Sequence, residues 1–310
     1  MNKLFIPLLL AMGLGSLIGC SSELDSPRSD RAVYTTPDVS SMPRLQRYIE
    51  RLFAKQYNVN ITYTWDQKAT DSRFLLAPIT EAKALEYLNL IDYAFFQVYA
   101  VAAPEGYLQT HTVKSLNLFG SSGYGMDRRM LGAAPQGEIW IYKINELDVS
   151  DLQTTRDDYI STLYHESAHT LHEERAYPAE FNRLSALEYQ RQDAFSYWWR
   201  TNRRSDYAGF VSDYGSTDSD EDFAELFSIY ILDTDEAWQA RLKAAEGKNR
   251  PEATMTGRQI IERKLEILKE YLRSEYSTDL DSIKAEAQRR LVKISEEACE
   301  GRKYGLHPIP

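Results

Sequence analysis

His165-Glu166-Ser167-Ala168-His169 is the stretch that decides how this chain is read. On a helix, positions i and i+4 lie on one face, so both imidazoles reach a single metal ion while Glu166 stands beside the water that such a metal would acidify. The chain has five histidines in 310 residues, so the pairing is informative by composition alone. Ile160, Leu163, Tyr164, Ala168 and Leu171 recur at helical spacing, and no proline or glycine interrupts residues 154–177. Thr155 with Asp158 three residues later reads as a capping box that would open this helix. His172 lies three residues past His169, close to the same face. The metzincin pattern would require Gly at 172 and His or Asp at 175, where this chain has His172 and Arg175, so the third ligand comes from elsewhere.

A catalytic zinc site uses three protein ligands and keeps one position open. The segment from Tyr214 to Phe227 supplies candidates: Phe223, Leu226, Phe227, Tyr230 and Ile231 mark a second amphipathic helix on which Glu221 and Glu225 stack one turn apart. One of these carboxylates can bind zinc while the other holds a ligating imidazole through its second nitrogen. Asp218, Asp220, Asp222 and His172 are near enough in sequence to compete. Such an acidic run also suits a helix N-terminus through the macrodipole alone. Asp222 points about 100° around the helix from Glu221, so it replaces Glu221 only by rotating Phe223 out of the core.

At these residues the chain resembles known proteins. Tyr214, Glu221 and Glu225 have the spacing of the tyrosine, ligand glutamate and second glutamate in the gluzincin site of the anthrax lethal factor metalloprotease domain. More broadly the chain resembles the zinc-binding metallopeptidase lipoproteins of Bacteroidetes, described as substrate-import-associated zinc metallohydrolases. That resemblance runs from about Tyr48 to Leu291 and is carried by Tyr57–Tyr63, Phe119–Ser122, Leu131–Ala134, Gly137–Asp148, the HESAH helix, Tyr177–Phe181, Gly209–Tyr214, Glu221–Glu225 and Thr278–Asp281. Gly215 stands where alanine is common. The resemblance implies an α+β, zincin-like (gluzincin) fold with a small mixed sheet, an active-site helix and a helical C-terminal part. It also implies peptidase chemistry with His165, His169 and Glu221 as zinc ligands, Glu166 as general base, Tyr214 as donor to the developing oxyanion and Glu225 orienting a ligand imidazole. The expected partners are a peptide or protein substrate and an outer-membrane nutrient importer.

Lys3, the apolar run Leu4–Leu14 and then Leu17-Ile18-Gly19-Cys20 form a bacterial lipobox, in which residues 1–19 are removed and Cys20 is acylated. The apolar stretch is too short for a permanent membrane helix, so lipid is the only expected membrane attachment. Ser21, not Asp, follows the cysteine and favours transport to the outer membrane. Residues 20–42, rich in Ser, Pro, Asp and Thr, read as a flexible lipid-anchored tether. One domain would follow over 43–301, with an α+β part at 43–154 and a helical part at 155–301, then a tail at 302–310. The only other cysteine is Cys299, so no disulfide framework is expected. Net charge is −10, or −11 without residues 1–19 and their one charged residue, Lys3, which disfavours nucleic acid and anionic lipid surfaces as partners.

The remaining sequence reads as scaffold. Residues 43–57 and Thr80–Ala100 are expected helices, and Val59–Trp65, Val113–Phe119 and Glu138–Ile144 expected strands. Gly120, Gly123 and Gly125 lack a following Lys-Ser/Thr and a helix pattern, so they read as a turn or substrate-rim loop, not a nucleotide loop. Glu138–Tyr142 fits either an edge strand that pairs with an extended peptide or an interior strand. The aromatic connection holding Tyr189, Tyr197, Trp198, Trp199 and Tyr207 fits helical packing, with Phe195 and Trp198 or Trp199 on core faces, or a substrate-contacting lid. With the lid reading goes an alternative function: a non-catalytic surface lipoprotein that binds peptide or glycan for import, with zinc as a structural staple. Ile260–Leu272 and Ile283–Ile294 are expected to be charged amphipathic helices joined by Tyr276–Asp281, serving as scaffold or as a partner surface.

Overall fold

The computed structural model describes residues 39–65, 75–125, 128–130, 132–133 and 138–299. Residues 1–19, Cys20, most of the tether and the 302–310 tail lie outside the described residues. The described part of the chain is mostly helical. In chain order the helices are α1 (Arg44–Ile49), α2 (Glu81–Ile91), α3 (Gln97–Ala102), α4 (Tyr107–His111), α5 (Leu152–Thr154), α6 (Ser161–Glu174), α7 (Ala179–Leu184), α8 (Ala194–Thr201), α9 (Ser219–Leu232), α10 (Asp235–Ala244), α11 (Gly257–Tyr276) and α12 (Leu280–Cys299). Wide helical turns over Glu50–Tyr57, Asp92–Phe96 and Thr155–Ile160 extend α1, join α2 to α3 and lead into α6. The expected helices over 43–57 and 80–100 are therefore present, each with one such turn.

Strands β1 (Asn60–Thr62), β2 (Ser115–Leu118) and β6 (Glu138–Ile141) run parallel in the order β1-β2-β6, and β5 (Gly132–Ala133) pairs antiparallel with β6. A separate hairpin joins β3 (Gly123–Gly125) to β4 (Arg128–Met130). Gly123 and Gly125, expected in a turn or substrate-rim loop, thus lie on a strand of a hairpin. Of the two readings left open for Glu138–Tyr142, the structure shows the interior one, because β6 has neighbours on both sides and β5 forms the edge. Leu116, Leu118, Ile139 and Ile141 point to one face and are buried, while Asn117, Glu138 and Trp140 point to the other, where Asn117 Nδ2 and Trp140 Nε1 both donate to Glu138 Oε2. This period-two alternation is what a sheet covered on one face by helices requires, and α6 is among the elements that pack on it.

The capping box expected at Thr155 is not present. Asp151 caps the chain one turn earlier, its carboxylate accepting from Thr154 N at 3.1 Å, and the Thr155 hydroxyl instead donates to Asp148 O. An aspartate in non-helical backbone just before the first turn competes better for the free N–H groups than a threonine already inside it. At the other end of α6, the hydroxyls of Tyr271 and Tyr276 on α11 donate to Leu171 O at 3.1 and 2.7 Å, adding to the backbone bond that this carbonyl accepts from Arg175 N at 3.0 Å.

Helix α9 is held from both sides. It packs along α6 and against α12, and at its start the Lys264 ammonium of α11 meets Asp222 Oδ2 at 2.6 Å with both side chains 1% exposed. Lys264 also donates to Gly209 O at 2.9 Å, and Tyr189 donates to the same Asp222 oxygen at 2.9 Å. Gly209 has φ +89°, and a Cβ there would meet Ile260 at 2.2 Å, so glycine alone lets this carbonyl approach α11. Burial pushes the Asp222 carboxyl up and the Lys264 ammonium down, and their mutual attraction opposes both shifts.

Breaking this pair from one side leaves a buried charge without its counter-ion. Lys264→Met is expected to destabilise the fold by about 3–5 kcal/mol in denaturant unfolding, and adding Asp222→Leu should recover part of that loss. A single-variant cost below about 1 kcal/mol would show that the pair does not anchor α9.

Candidate metal centre

His165 and His169 sit one turn apart on α6, on a buried stretch bounded by Leu163, Tyr164, Ala168 and Leu171. Opposite them, Asp218 caps α9 by accepting from Asp220 N and Glu221 N, both at 3.0 Å, which fixes Glu221 in the first helical turn. Because α6 and α9 pack together, this places one ligand-type atom each of His165, His169 and Glu221 within 4.8 Å of one another.

The triangle is tighter than that limit. His165 Nε2 lies 3.0 Å from Glu221 Oε2, His169 Nε2 lies 3.5 Å from the same oxygen, and the two Nε2 atoms are 3.3 Å apart. Tetrahedral zinc with bonds of about 2.0–2.1 Å requires donors about 3.4 Å apart. Two nitrogens and one carboxylate oxygen are also the donor set zinc prefers, so the residues present fit the ion.

Each imidazole is held by its other nitrogen. His165 Nδ1 lies 2.9 Å from Glu225 Oε1, and the second Glu225 oxygen accepts from the Ser212 hydroxyl. His169 Nδ1 lies 2.9 Å from His172 Nε2. With the Nδ1 atoms directed at these acceptors, Nε2 is on each ring the nitrogen that faces the triangle and would bind a metal, on His165 after the metal displaces its proton. His172, weighed in the sequence only as a rival ligand, is thus the partner of His169. Burial lowers its pKa and keeps it neutral, hence able to accept. Among the described residues Ser212, His172 and Lys264 are the members of this neighbourhood that sequence reading missed as participants. For His172 the i+3 spacing from His169 was the available signal.

Glu166 is 8% exposed. Burial raises its carboxyl pKa, with nearby Glu221 and Glu225 adding to the rise and His165 and His169 opposing it. Tyr214 enters from the short turn before α9: its ring centroid is 5.9 Å from that of His165, and its hydroxyl donates to Glu221 Oε1 at 2.8 Å. The tyrosine expected to serve an oxyanion therefore bonds a candidate ligand in this structure. Burial and Glu221 hold its phenol above the usual pKa, so it keeps its proton. A Cβ at Gly215 would meet its nearest neighbours at 3.5 Å, ordinary contact, so the glycine where alanine is common does not disturb the site.

With this geometry in place, the comparisons decide the family. A family model described as "Putative zinc-binding metallo-peptidase" matches residues 40–281. The chain belongs to that family. A crystal structure titled as a putative zinc-binding metallo-peptidase from Bacteroides caccae ATCC 43185 superposes with a TM-score of 0.65 at 20% identity, covering 86% of this chain and 97% of that one, which shows a shared fold. No curated protein matches the chain. Family and donor set agree on zinc.

Charge in the metal-free site points the same way. Burial disfavours a charged His165, yet its bonds to Glu221 and Glu225 outweigh this and push its pKa up to about 10, while Glu221 is held well below the usual carboxylate range by His165 and His169 despite its own burial. Near neutral pH His165 is then protonated without metal, and a metal must displace that proton. Zinc binding between pH 7 and 9 is expected to release about one proton and to tighten as pH rises, read by calorimetry in buffers of different ionisation enthalpy. The same shift makes His165 a source of metal-free stability that is full below about pH 6.5 and lost as pH climbs through about 10. Proton release near zero would remove His165 from the ligand set.

Glu221→Ala should abolish tight zinc binding and Glu225→Ala weaken it about 10- to 100-fold, as measured by competition with a chromophoric chelator. Equal losses would mean that Glu225 is itself a ligand.

Proposed function

We propose that this chain is a monozinc peptidase of the gluzincin type, with His165, His169 and Glu221 holding the metal. The observation that carries the reading is the buried carboxylate of Glu166 next to the His165–His169–Glu221 triangle. A structural zinc site closes with a fourth protein ligand and has no use for such a base. Among the described residues the group of metal-binding geometry has three members, not four.

Zinc supplies Lewis acidity when bound, polarising a scissile carbonyl and acidifying water. The chain's own residues do the rest. Glu166 accepts the proton of the attacking water and delivers it to the departing amine, a task suited to a carboxyl whose pKa burial has moved toward neutrality. Tyr214, protonated across the working range, is the neutral donor for the developing oxyanion. Glu225 and His172 orient the two imidazoles and take no part in the proton transfers.

The setting belongs to the proposal as well. The lipobox ending at Cys20 and the following Ser21 support an outer-membrane lipoprotein whose single catalytic domain spans about residues 43–301. The resemblance to import-associated lipoproteins supports a place beside a nutrient importer, with peptides or proteins as substrate. Among the described residues no helix is long and apolar enough to cross a membrane.

Replacing the base while leaving the ligands separates binding from chemistry. Glu166→Gln is expected to retain about one zinc per chain and to lose nearly all turnover of a peptide library, with native turnover abolished by chelation and restored by zinc. Failure of the zinc-loaded native chain to cleave any library peptide it binds would replace this reading with that of a non-catalytic binding lipoprotein.

A further inference from the structure

Helix α8 places Phe195, Trp198 and Trp199 within two turns, and the three have opposite fates. Trp198 is buried, its indole N–H donating to Ser216 Oγ at 2.8 Å and its ring packing with Ala208 and Phe210 in a small satellite core. Phe195 and Trp199, four apart and so on one helix face, are 53% and 73% exposed. This corrects the expectation that Phe195 faces the core. Seven large apolar side chains are exposed among the described residues, and these two are the pair that shares a helix face.

Their position is fixed relative to the metal centre. The Trp198–Ser216 bond ties α8 to the turn that carries Tyr214, and Phe195 stacks on the Tyr214 ring at 5.3 Å and 22°. Two ring contacts therefore connect Phe195 to His165 through Tyr214. Trp199, in turn, lines a cavity of about 620 Å³ together with Trp198, Val211 and the charged Arg203, Asp213 and Arg241, so the apolar surface of this face is that of the two rings themselves. The exposed aromatic face thus runs from the rim of the metal site to a recess, and a substrate held by the metal centre is the molecule whose side chains would meet it.

We propose that Phe195 and Trp199 form a subsite for one apolar, preferably aromatic, side chain of the substrate peptide close to the scissile bond, with Phe195 setting the preference. This rests on the peptidase reading. Physically, Phe195 offers a ring already immobilised against Tyr214, so stacking a substrate side chain on it removes apolar surface from water at little further entropic cost. Phe195 is a specificity-determining residue here, and Tyr214 remains the group that touches the reacting atoms.

The test uses zinc-loaded chain and a set of fluorescently labelled hexapeptides of alanine and glycine in which one Phe is walked through each position. In the Glu166→Gln chain, which binds without turning over, the best-placed Phe is expected to tighten binding about tenfold over the parent peptide, the scale of burying one such side chain. Adding Phe195→Ala should cut that gain to about threefold or less, while Phe195→Leu, which keeps apolarity and bulk, should retain most of it. A purely structural support of Tyr214 by Phe195 would instead weaken every peptide alike and leave the ratio untouched. An unchanged ratio, or no Phe position that improves binding, overturns the subsite. Preference in binding with no cleavage by the native chain would overturn the peptidase reading and leave the subsite standing.

Discussion

The buried pair between Asp222 and Lys264 is the constraint on which the site's geometry depends. Glu221, Asp222 and Glu225 share one helix, so fixing the direction of any one fixes the others. Asp222, about 100° round from Glu221, is drawn into the core by a tyrosine hydroxyl and by an ammonium that itself lies over the rings of Phe181 and Phe210. With that side chain committed inward, Glu221 and Glu225 are left facing α6. An apolar residue at 222 would bury as well but would leave the roll of α9 to shape alone; the ion pair adds direction, and the carbonyl of Gly209 ties the same ammonium to the segment leading to Tyr214.

Around the triangle the two imidazoles are supported unequally. His165 is backed by a carboxylate that is itself held by Ser212, whereas His169 is backed by the neutral ring of His172. A carboxylate raises the basicity of the histidine it holds and a neutral imidazole does so far less. The negative charge therefore concentrates on the side of Glu221 and Glu225, and Glu166 adds to it. Three carboxylates close to two histidines form a cluster that favours a bound cation, and the high pKa of His165 in the metal-free chain is the same preference expressed with a proton.

Much of this site was legible in the sequence because it is made of local spacings. The i, i+4 histidines, Glu166 between them, and the i, i+4 glutamates each need only a helix to become geometry, and both helices formed where apolar periodicity placed them. The expectation of Glu221 over its acidic neighbours rested on the resemblance of its spacing from Tyr214 to the gluzincin site, on Glu225 one turn later and on the unsuitability of Asp222, which is now seen paired in the core while Glu221 lies with the two histidines. What stayed hidden depends on partners far apart in the chain. Lys264 lies 42 residues from Asp222, in a charged amphipathic helix that reads as scaffold or a partner surface and marks no one lysine for burial. The start of the α6 region was misplaced by a turn because Thr155 and Asp151 both carry capping chemistry, and backbone conformation decides between them.

The aromatic connection shows the same limit from the other direction. Periodicity says that adjacent tryptophans cannot both face the core of one short helix, yet it does not say which turns inward. Trp198 wins because its N–H finds Ser216 there, and an indole buried without an acceptor would forfeit the free energy of a hydrogen bond. That one bond sets the phase of α8 and so decides that Phe195 emerges beside Tyr214 and not beneath it. Packing in the satellite core thereby determines what the metal site's rim presents to a substrate. Ala208 and Phe210, which touch no reacting atom, act on that rim through Trp198.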